Sequence, residues 1–142
     1  MSDDHVYPLH VRWSDVDAYG HVNNVKYFEY FQESRISFLS RLVRVAGGRS
    51  LVVARVTVDY KRPMFFRQTP YEVRTRVLRL GGRSFHITSR IHDQLADDSP
   101  VLASATAVLV AFDAATQSSR ELDTAERDYL EGLLTPSTDT PL

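Results

Sequence analysis

Apolar and polar residues alternate along residues 6–13. Tyr7, Leu9, Val11 and Trp13 share one face and Val6, Pro8, His10 and Arg12 the other, which is the period of a strand. Pro8 assigns it to a sheet edge or to a strand's beginning, because proline cannot donate to the ladder. The period changes at about Val22. From there to Val43, the residues Val25, Phe28, Gln32, Ile36, Leu39 and Val43 recur at spacings of three and four. Tyr27, Phe31, Phe38 and Leu42 widen that apolar surface, so the pattern predicts a long helix buried on more than one side. Gly47-Gly48 ends it. Four strands with short breaks are predicted next. Residues 50–62 place Val52, Ala54, Val56, Val58 and Tyr60 on one face and stop at Pro63. Residues 70–80 set Tyr71, Val73 and Val77 against Glu72, Arg74 and Arg76, and Gly81-Gly82 reads as a hairpin. Residues 84–92 set Phe85, Ile87 and Ile91 against His86, Arg90 and His92, and Asp97-Asp98-Ser99-Pro100 is the next turn. Residues 101–112 carry Ala103, Ala105, Ala107, Leu109 and Ala111 on one face, a small-residue surface on which the long helix can pack closely. Residues 121–134 read as a short amphipathic helix with Leu122, Tyr129, Leu130, Leu133 and Leu134 inward.

The order is strand, long helix, four strands, short helix. Hairpin-length breaks imply an antiparallel sheet, and a single long apolar helix must lie across one of its faces. The expectation is an α+β domain, a five-stranded antiparallel sheet wrapped around one central helix, over residues 1–134. Residues 135–142, rich in Thr, Pro and Asp, read as a disordered tail.

The 142 residues are 43% hydrophobic and 25% charged, which is globular rather than disordered. No apolar run spans a bilayer and no leader is visible at the start, so neither membrane nor export is expected. The chain has no cysteine. That removes disulfides, thiolate nucleophiles and thiolate-held metals, and it is compatible with the cytoplasm. The net charge of −1 conceals an asymmetry. Residues 49–90 hold ten Lys and Arg against two acids, whereas residues 113–142 hold two Arg against seven acids. A basic middle suits an anionic partner, or else a solvated outer sheet face.

The chemistry concentrates in Asp15-Val16-Asp17-Ala18-Tyr19-Gly20-His21-Val22-Asn23-Asn24, directly before the long helix. A helix N-terminus offers unpaired N–H groups and a positive dipole end. Those donors can hold a developing oxyanion while a nearby carboxylate acts as base or nucleophile. Asp17 is the candidate carboxylate, although Asp is also a common turn residue. Asp15 reads as a structural turn acid. His21 either contacts substrate or positions Asp17, or it packs on the turn. Asn23 and Asn24 fit helix capping, with a possible second role in orienting the turn or a water. Tyr27 lines a pocket or belongs to the core. The five His show no metal-ligand spacing, so no metal and no cofactor is expected. There is no G-x-S-x-G elbow, no G-x-x-x-x-G-K loop and no nucleic-acid motif.

The run Asp15-x-Asp17-x-x-Gly20-His21-Val22-Asn23-Asn24-x-x-Tyr27, entering a long helix in this order of elements, resembles the hotdog-fold acyl-CoA thioesterases of the 4-hydroxybenzoyl-CoA thioesterase family. Val58-Asp59-Tyr60-Lys61-Arg62-Pro63 and Gly82-Arg83-Ser84-Phe85 resemble later segments of that family, and the resemblance covers about residues 6–112. It departs at Phe66-Arg67-Gln68-Thr69-Pro70, where many members carry a Gly-Asp turn. The resemblance implies hydrolysis of an acyl thioester of coenzyme A, or of acyl carrier protein, to free acid and thiol. It implies Asp17 as base or nucleophile, with His21 and Asn24 beside it as catalytic candidates. Gly20, Val22, Asn23 and Tyr27 become candidate substrate contacts, and Arg62 and Arg83 candidates for holding coenzyme A phosphates. It also implies a homodimer or homotetramer with active sites at subunit interfaces. Two other readings stay open: a hotdog hydratase or dehydratase, which uses a catalytic His in a different motif, and a non-catalytic acyl-thioester-binding module. Asp17 and His21 in one turn favour hydrolysis, and an intact Asp17 counts against the pure binder.

Overall fold

The computed structural model describes residues 4–134; the expected tail at 135–142 lies outside the described residues. In chain order the elements are β1 (His5–Leu9), α1 (Lys26–Ala46), β2 (Leu51–Tyr60), β3 (Tyr71–Leu80), β4 (Ser84–His92), β5 (Val101–Asp113), β6 (Ser118–Ser119) and α2 (Thr124–Leu133). The sheet is antiparallel, ordered β1-β3-β4-β5-β2. The short β6 pairs with the end of β5 and makes a sixth strand, two residues long, where five strands were expected. Its pairing partner is Phe112-Asp113, at and beyond the end of the predicted strand, so no local alternation announced it.

The helix packs on the small residues of β5, as the alanine row requires. Ala103 and Ala105 share a buried cluster with Tyr27, Tyr30 and Phe31. Ala107, Leu109 and Ala111 share a second with Phe38 and Leu42. Between the clusters lies a layer of hydroxyls. Ser34 on α1 meets Thr75 at 3.3 Å, and Thr75 meets Ser89 at 2.7 Å. All three are buried and hydrogen-bonded to one another, which removes most of the cost of placing them there.

Four expectations change. The helix begins at Lys26 rather than Val22, because Val22 bridges Val16 and the Asn23 carbonyl accepts the Lys26 N–H in a turn. Only one stripe of α1 is buried, at Tyr27, Tyr30, Phe31, Ser34, Phe38 and Leu42. Val25, Phe28, Ile36 and Val43 form a second apolar stripe that stays exposed. In β2 a bulge at Ala54 shifts the register between Val53 and Arg55. Leu51 and Val53 therefore oppose Ala111 and Leu109 and join the face of Val56, Val58 and Tyr60, while Val52 opposes Val110 on the other side. The first strand also stops at Leu9, since Trp13–Asp15 is a 3-10 turn that leaves Trp13 exposed.

The ends of α1 follow helix chemistry. Gly47 terminates it in the left-handed region at φ +88°, its N–H bonded to the Val43 carbonyl at 3.0 Å. Glu29 in the first turn and Arg44 in the last complement the dipole. For α2, Asp123 and Glu126 form a reciprocal capping box. Arg120 then holds Glu126 through two short ion-pair bonds of 2.8 and 2.9 Å.

Candidate active site

The turn before α1 folds on its own polar groups. The Asp17 N–H donates to the His21 carbonyl at 2.8 Å, and the Gly20 N–H donates to the Asp17 carbonyl at 3.0 Å. Gly20 sits at φ +81°, where a side chain is strained. The Asp17 carboxylate closes the turn: its Oδ1 accepts the Tyr19 N–H at 2.8 Å and the His21 N–H at 3.2 Å. Its Oδ2 has no hydrogen-bond partner among the described residues, and the side chain faces solvent. One oxygen is thus anchored and the other is available. The anchoring bonds are those of an Asx turn, so they hold the carboxylate whatever else it does.

Beneath the turn, Asp15 is 1% exposed. Its Oδ2 accepts the Tyr30 hydroxyl at 2.7 Å and the Arg12 N–H at 3.1 Å. Burial pushes this carboxyl up, and the donors from Tyr30 and Arg12 outweigh it, leaving it below the ordinary range. The expected structural role of Asp15 is what the geometry shows.

The backbone N–H groups of Val22, Asn23, Asn24 and Val25 at the helix start are not equivalent. Val22 is buried and its N–H goes to the Met64 carbonyl, while the Asn23 N–H goes to the Asp15 carbonyl. Those two donors are committed to the fold. Asn24 and Val25 carry N–H groups with no partner among the described residues. They are the donors that the helix start presents. Asn23 and Asn24 make no side-chain cap to the helix, and the N-cap residue is Val25.

His21 is exposed, and its ring stands edge-on to Phe65 at 5.1 Å. It supports Asp17 through its backbone N–H and not through its ring. His21, Val22, Asn24, Tyr27, Tyr60, Lys61, Arg62 and Pro63 line a cleft of about 250 Å³. Tyr27 is buried there, its ring edge-on to Tyr60 at 4.9 Å, so it is core and pocket wall at once. The Tyr60 hydroxyl donates to the Asn24 carbonyl at 2.9 Å, which ties the end of β2 to the helix start. Arg62 stands in the cleft, and Lys61 joins it. Tyr60, Lys61 and Phe65 were missed. The only signal for Tyr60 and Lys61 was their place in a segment already singled out by resemblance.

Within the single chain Arg83 lies away from this cleft. It sits on the β3–β4 hairpin and donates to the Ser119 carbonyl at 3.0 Å. The cleft lies at the other end of the sheet, about 25 Å away at the ~3.3 Å rise of a strand residue. Of the remaining basic residues, Arg49 and Arg67 pair with Asp123 and Asp93. No group of three or more His, Asp or Glu converges among the described residues, and no helix there is long and apolar enough to cross a membrane.

A sheet packed on one long helix, with an acid-bearing turn feeding that helix's N-terminus, is the hotdog architecture. A family model described as the thioesterase-like superfamily matches residues 11–133. The chain belongs to that superfamily. It is 28% identical over 130 residues to the long-chain acyl-CoA thioesterase FadM of Escherichia coli (strain K12), covering 89% of this chain and 96% of that protein. A crystal structure of a Thermus thermophilus thioesterase complexed with coenzyme A and Zn matches with a TM-score of 0.75 at 28% identity, over 89% of this chain and 92% of that one. The probable thioesterase YbaW of Escherichia coli matches with a TM-score of 0.76 at 25% identity, over 92% and 98%.

Proposed function

We propose that this chain hydrolyses acyl-CoA thioesters, with Asp17 as the reacting carboxylate and the Asn24 and Val25 N–H groups as donors to the thioester carbonyl. The observation that carries this reading is the paired arrangement at one helix start: an anchored carboxylate with a free oxygen, and two uncommitted backbone donors a few residues on. As developing negative charge settles on the carbonyl oxygen, those donors and the helix dipole stabilise it. Asp17 takes a proton from water while the water oxygen bonds to the carbonyl carbon. The C–S bond then breaks, and the proton passes to the departing thiolate. Direct attack by Asp17 gives a mixed anhydride instead, which water then opens to the same products.

Lys61 and Arg62 at the cleft suit the phosphates of coenzyme A. The reading also includes a homodimer. β2 is an edge strand, and it bears exposed Val52, Val53 and Tyr60. The second apolar stripe of α1 is uncovered as well. An open sheet edge and an uncovered apolar stripe are surfaces that a second copy covers, and Asp17 open to solvent is a site that a neighbour can complete.

The test is thiol release from short, medium and long straight-chain, branched, benzoyl and 4-hydroxybenzoyl-CoA, and from an acyl carrier protein thioester, with Asp17→Asn beside the unaltered chain. Turnover that drops by about 10³-fold or more in Asp17→Asn supports the reading. Full activity in Asp17→Asn rejects Asp17, and binding without any thiol release makes the chain an acyl-thioester-binding module.

A further inference from the structure

Resting on the reading of Asp17 above, we infer that the buried Asp15–Tyr30 hydrogen bond is a positioning element: it holds the Asp17 turn in place against the helix start that presents the Asn24 and Val25 donors. Tyr30 rises from the second turn of α1 and donates to Asp15 Oδ2 at 2.7 Å, with both residues 1% exposed. Asp15 lies two residues before Asp17. Its backbone carbonyl accepts the Asn23 N–H at 2.9 Å, immediately before Asn24. One residue therefore clamps the helix through its side chain and the donor segment through its main chain.

The clamp is closed from outside by a ring of charges. Arg12 donates to Asp15 Oδ2 through its own N–H and its Nε, and its Nη2 lies 3.3 Å from both Asp15 Oδ1 and Glu29 Oε1. Lys26 lies 3.2 Å from Glu29 and 3.9 Å from Asp15. These contacts join residues 12–15 to the first turn of α1. A buried carboxylate is an expensive way to fill space, since an apolar residue would pack there without desolvation. What it supplies is directional: several donors converging on one atom fix where the turn sits. Burial and the Asp15 charge hold the Tyr30 phenol far above its ordinary range, so it stays a donor.

A carboxylate and two oxyanion donors work only at the right separation, and a misplacement of about 1 Å can cost on the order of 10² in rate. Tyr30→Phe removes one oxygen and keeps the ring in the core. Assayed well below its melting temperature, it is expected to lose about 10- to 100-fold in kcat with KM within about twofold. Asp15→Ala should fall as far, whereas Asp15→Asn, which keeps an acceptor for Tyr30, should stay within about threefold. Arg12 is exposed, so Arg12→Gln tests the clamp without touching the core; kcat should drop about 3- to 10-fold. If Tyr30→Phe and Arg12→Gln keep full kcat and lose only thermal stability, or if KM carries the change, the inference is overturned. Asp17→Asn is run alongside. Full activity there removes the Asp17 reading and this inference with it. Its inactivation beside unaltered Tyr30→Phe and Arg12→Gln removes this inference alone.

Discussion

Replacing Glu126 by Leu strands Arg120 in a site where the guanidinium is 9% exposed and its partner 2% exposed. The pair is bidentate, at 2.8 and 2.9 Å. The same guanidinium donates to three backbone carbonyls, Phe112 at 3.1 Å, Glu121 at 3.2 Å and Ser50 at 3.0 Å. It thereby ties the segment before α2 to the end of β5 and to the residue before β2. Those carbonyls stay after Glu126→Leu, but the counter-charge goes. Breaking a buried pair from one side costs about 3–5 kcal/mol. Glu126 also accepts the Asp123 N–H at 2.9 Å in the capping box, worth about 1 kcal/mol more. The expected loss is about 4–6 kcal/mol, a large part of the ~5–15 kcal/mol that holds a domain together. At roughly 3 °C per kcal/mol for this size, the melting temperature should fall by about 12–18 °C. Arg120→Met should cost about 3–5 kcal/mol for the mirror-image reason. The double variant should cost far less than the two singles together, about 1–3 kcal/mol, because no uncompensated charge remains. Urea unfolding followed by circular dichroism, at one fixed protein concentration, measures all three. Singles below about 1 kcal/mol, or a double variant equal to their sum within ~0.5 kcal/mol, would refute the reasoning.

Acid should destabilise the fold through Asp15 and Asp123. Asp123 is held low by the Glu126 N–H and by Arg49, and Asp15 is net low against its burial. A carboxyl depressed in the folded state stabilises fully above its unfolded value near 3.9 and loses that contribution as pH falls through the folded value; urea midpoints at pH 6 and pH 3 should differ less in Asp15→Asn than in the unaltered chain. Gly47→Ala should cost about 1 kcal/mol, since Ala must take φ +88°, and a urea midpoint will show it. Phe28→Asp together with Val53→Glu should convert the proposed dimer to monomer in size-exclusion chromatography with light scattering, and an unchanged mass would remove that interface. Lys61→Gln with Arg62→Gln should raise KM for acyl-CoA and flatten its salt dependence, because screening acts on charges the variant lacks.

The strands β3, β4 and β5 were legible almost to the residue. Gly81-Gly82 separates β3 from β4 and Asp97-Asp98-Ser99-Pro100 separates β4 from β5, so local turn chemistry marks these boundaries. The Asp17 turn was legible for the same local reason: Gly20 at φ +81° and Asp17, which caps its own turn, lie within four consecutive residues. What was not legible depends on partners far along the chain. The bulge at Ala54 exists because β2 must keep register with β5, some fifty residues on. Lys61 and Tyr60 join the site because the end of β2 meets the helix start, and Phe65 because its backbone bridges His21. Arg83 lies away from the cleft of its own chain, and residue spacing carries no mark of which end of the sheet a hairpin will occupy.

The helix is the instructive case. Its apolar positions fill two stripes, and periodicity alone makes one broad buried surface of them. The sheet of the same chain covers only Tyr27, Tyr30, Phe31, Ser34, Phe38 and Leu42. One chain therefore accounts for part of the burial that the sequence pattern predicts. Under the proposed dimer the two records agree. The stripe of Phe28, Ile36 and Val43 and the open edge of β2 are then buried in the same event that encloses Asp17. That coupling makes activity and association one measurement: the Phe28→Asp, Val53→Glu variant should lose thiol release in step with its dimer mass, and a fully active monomer would separate the site from the interface.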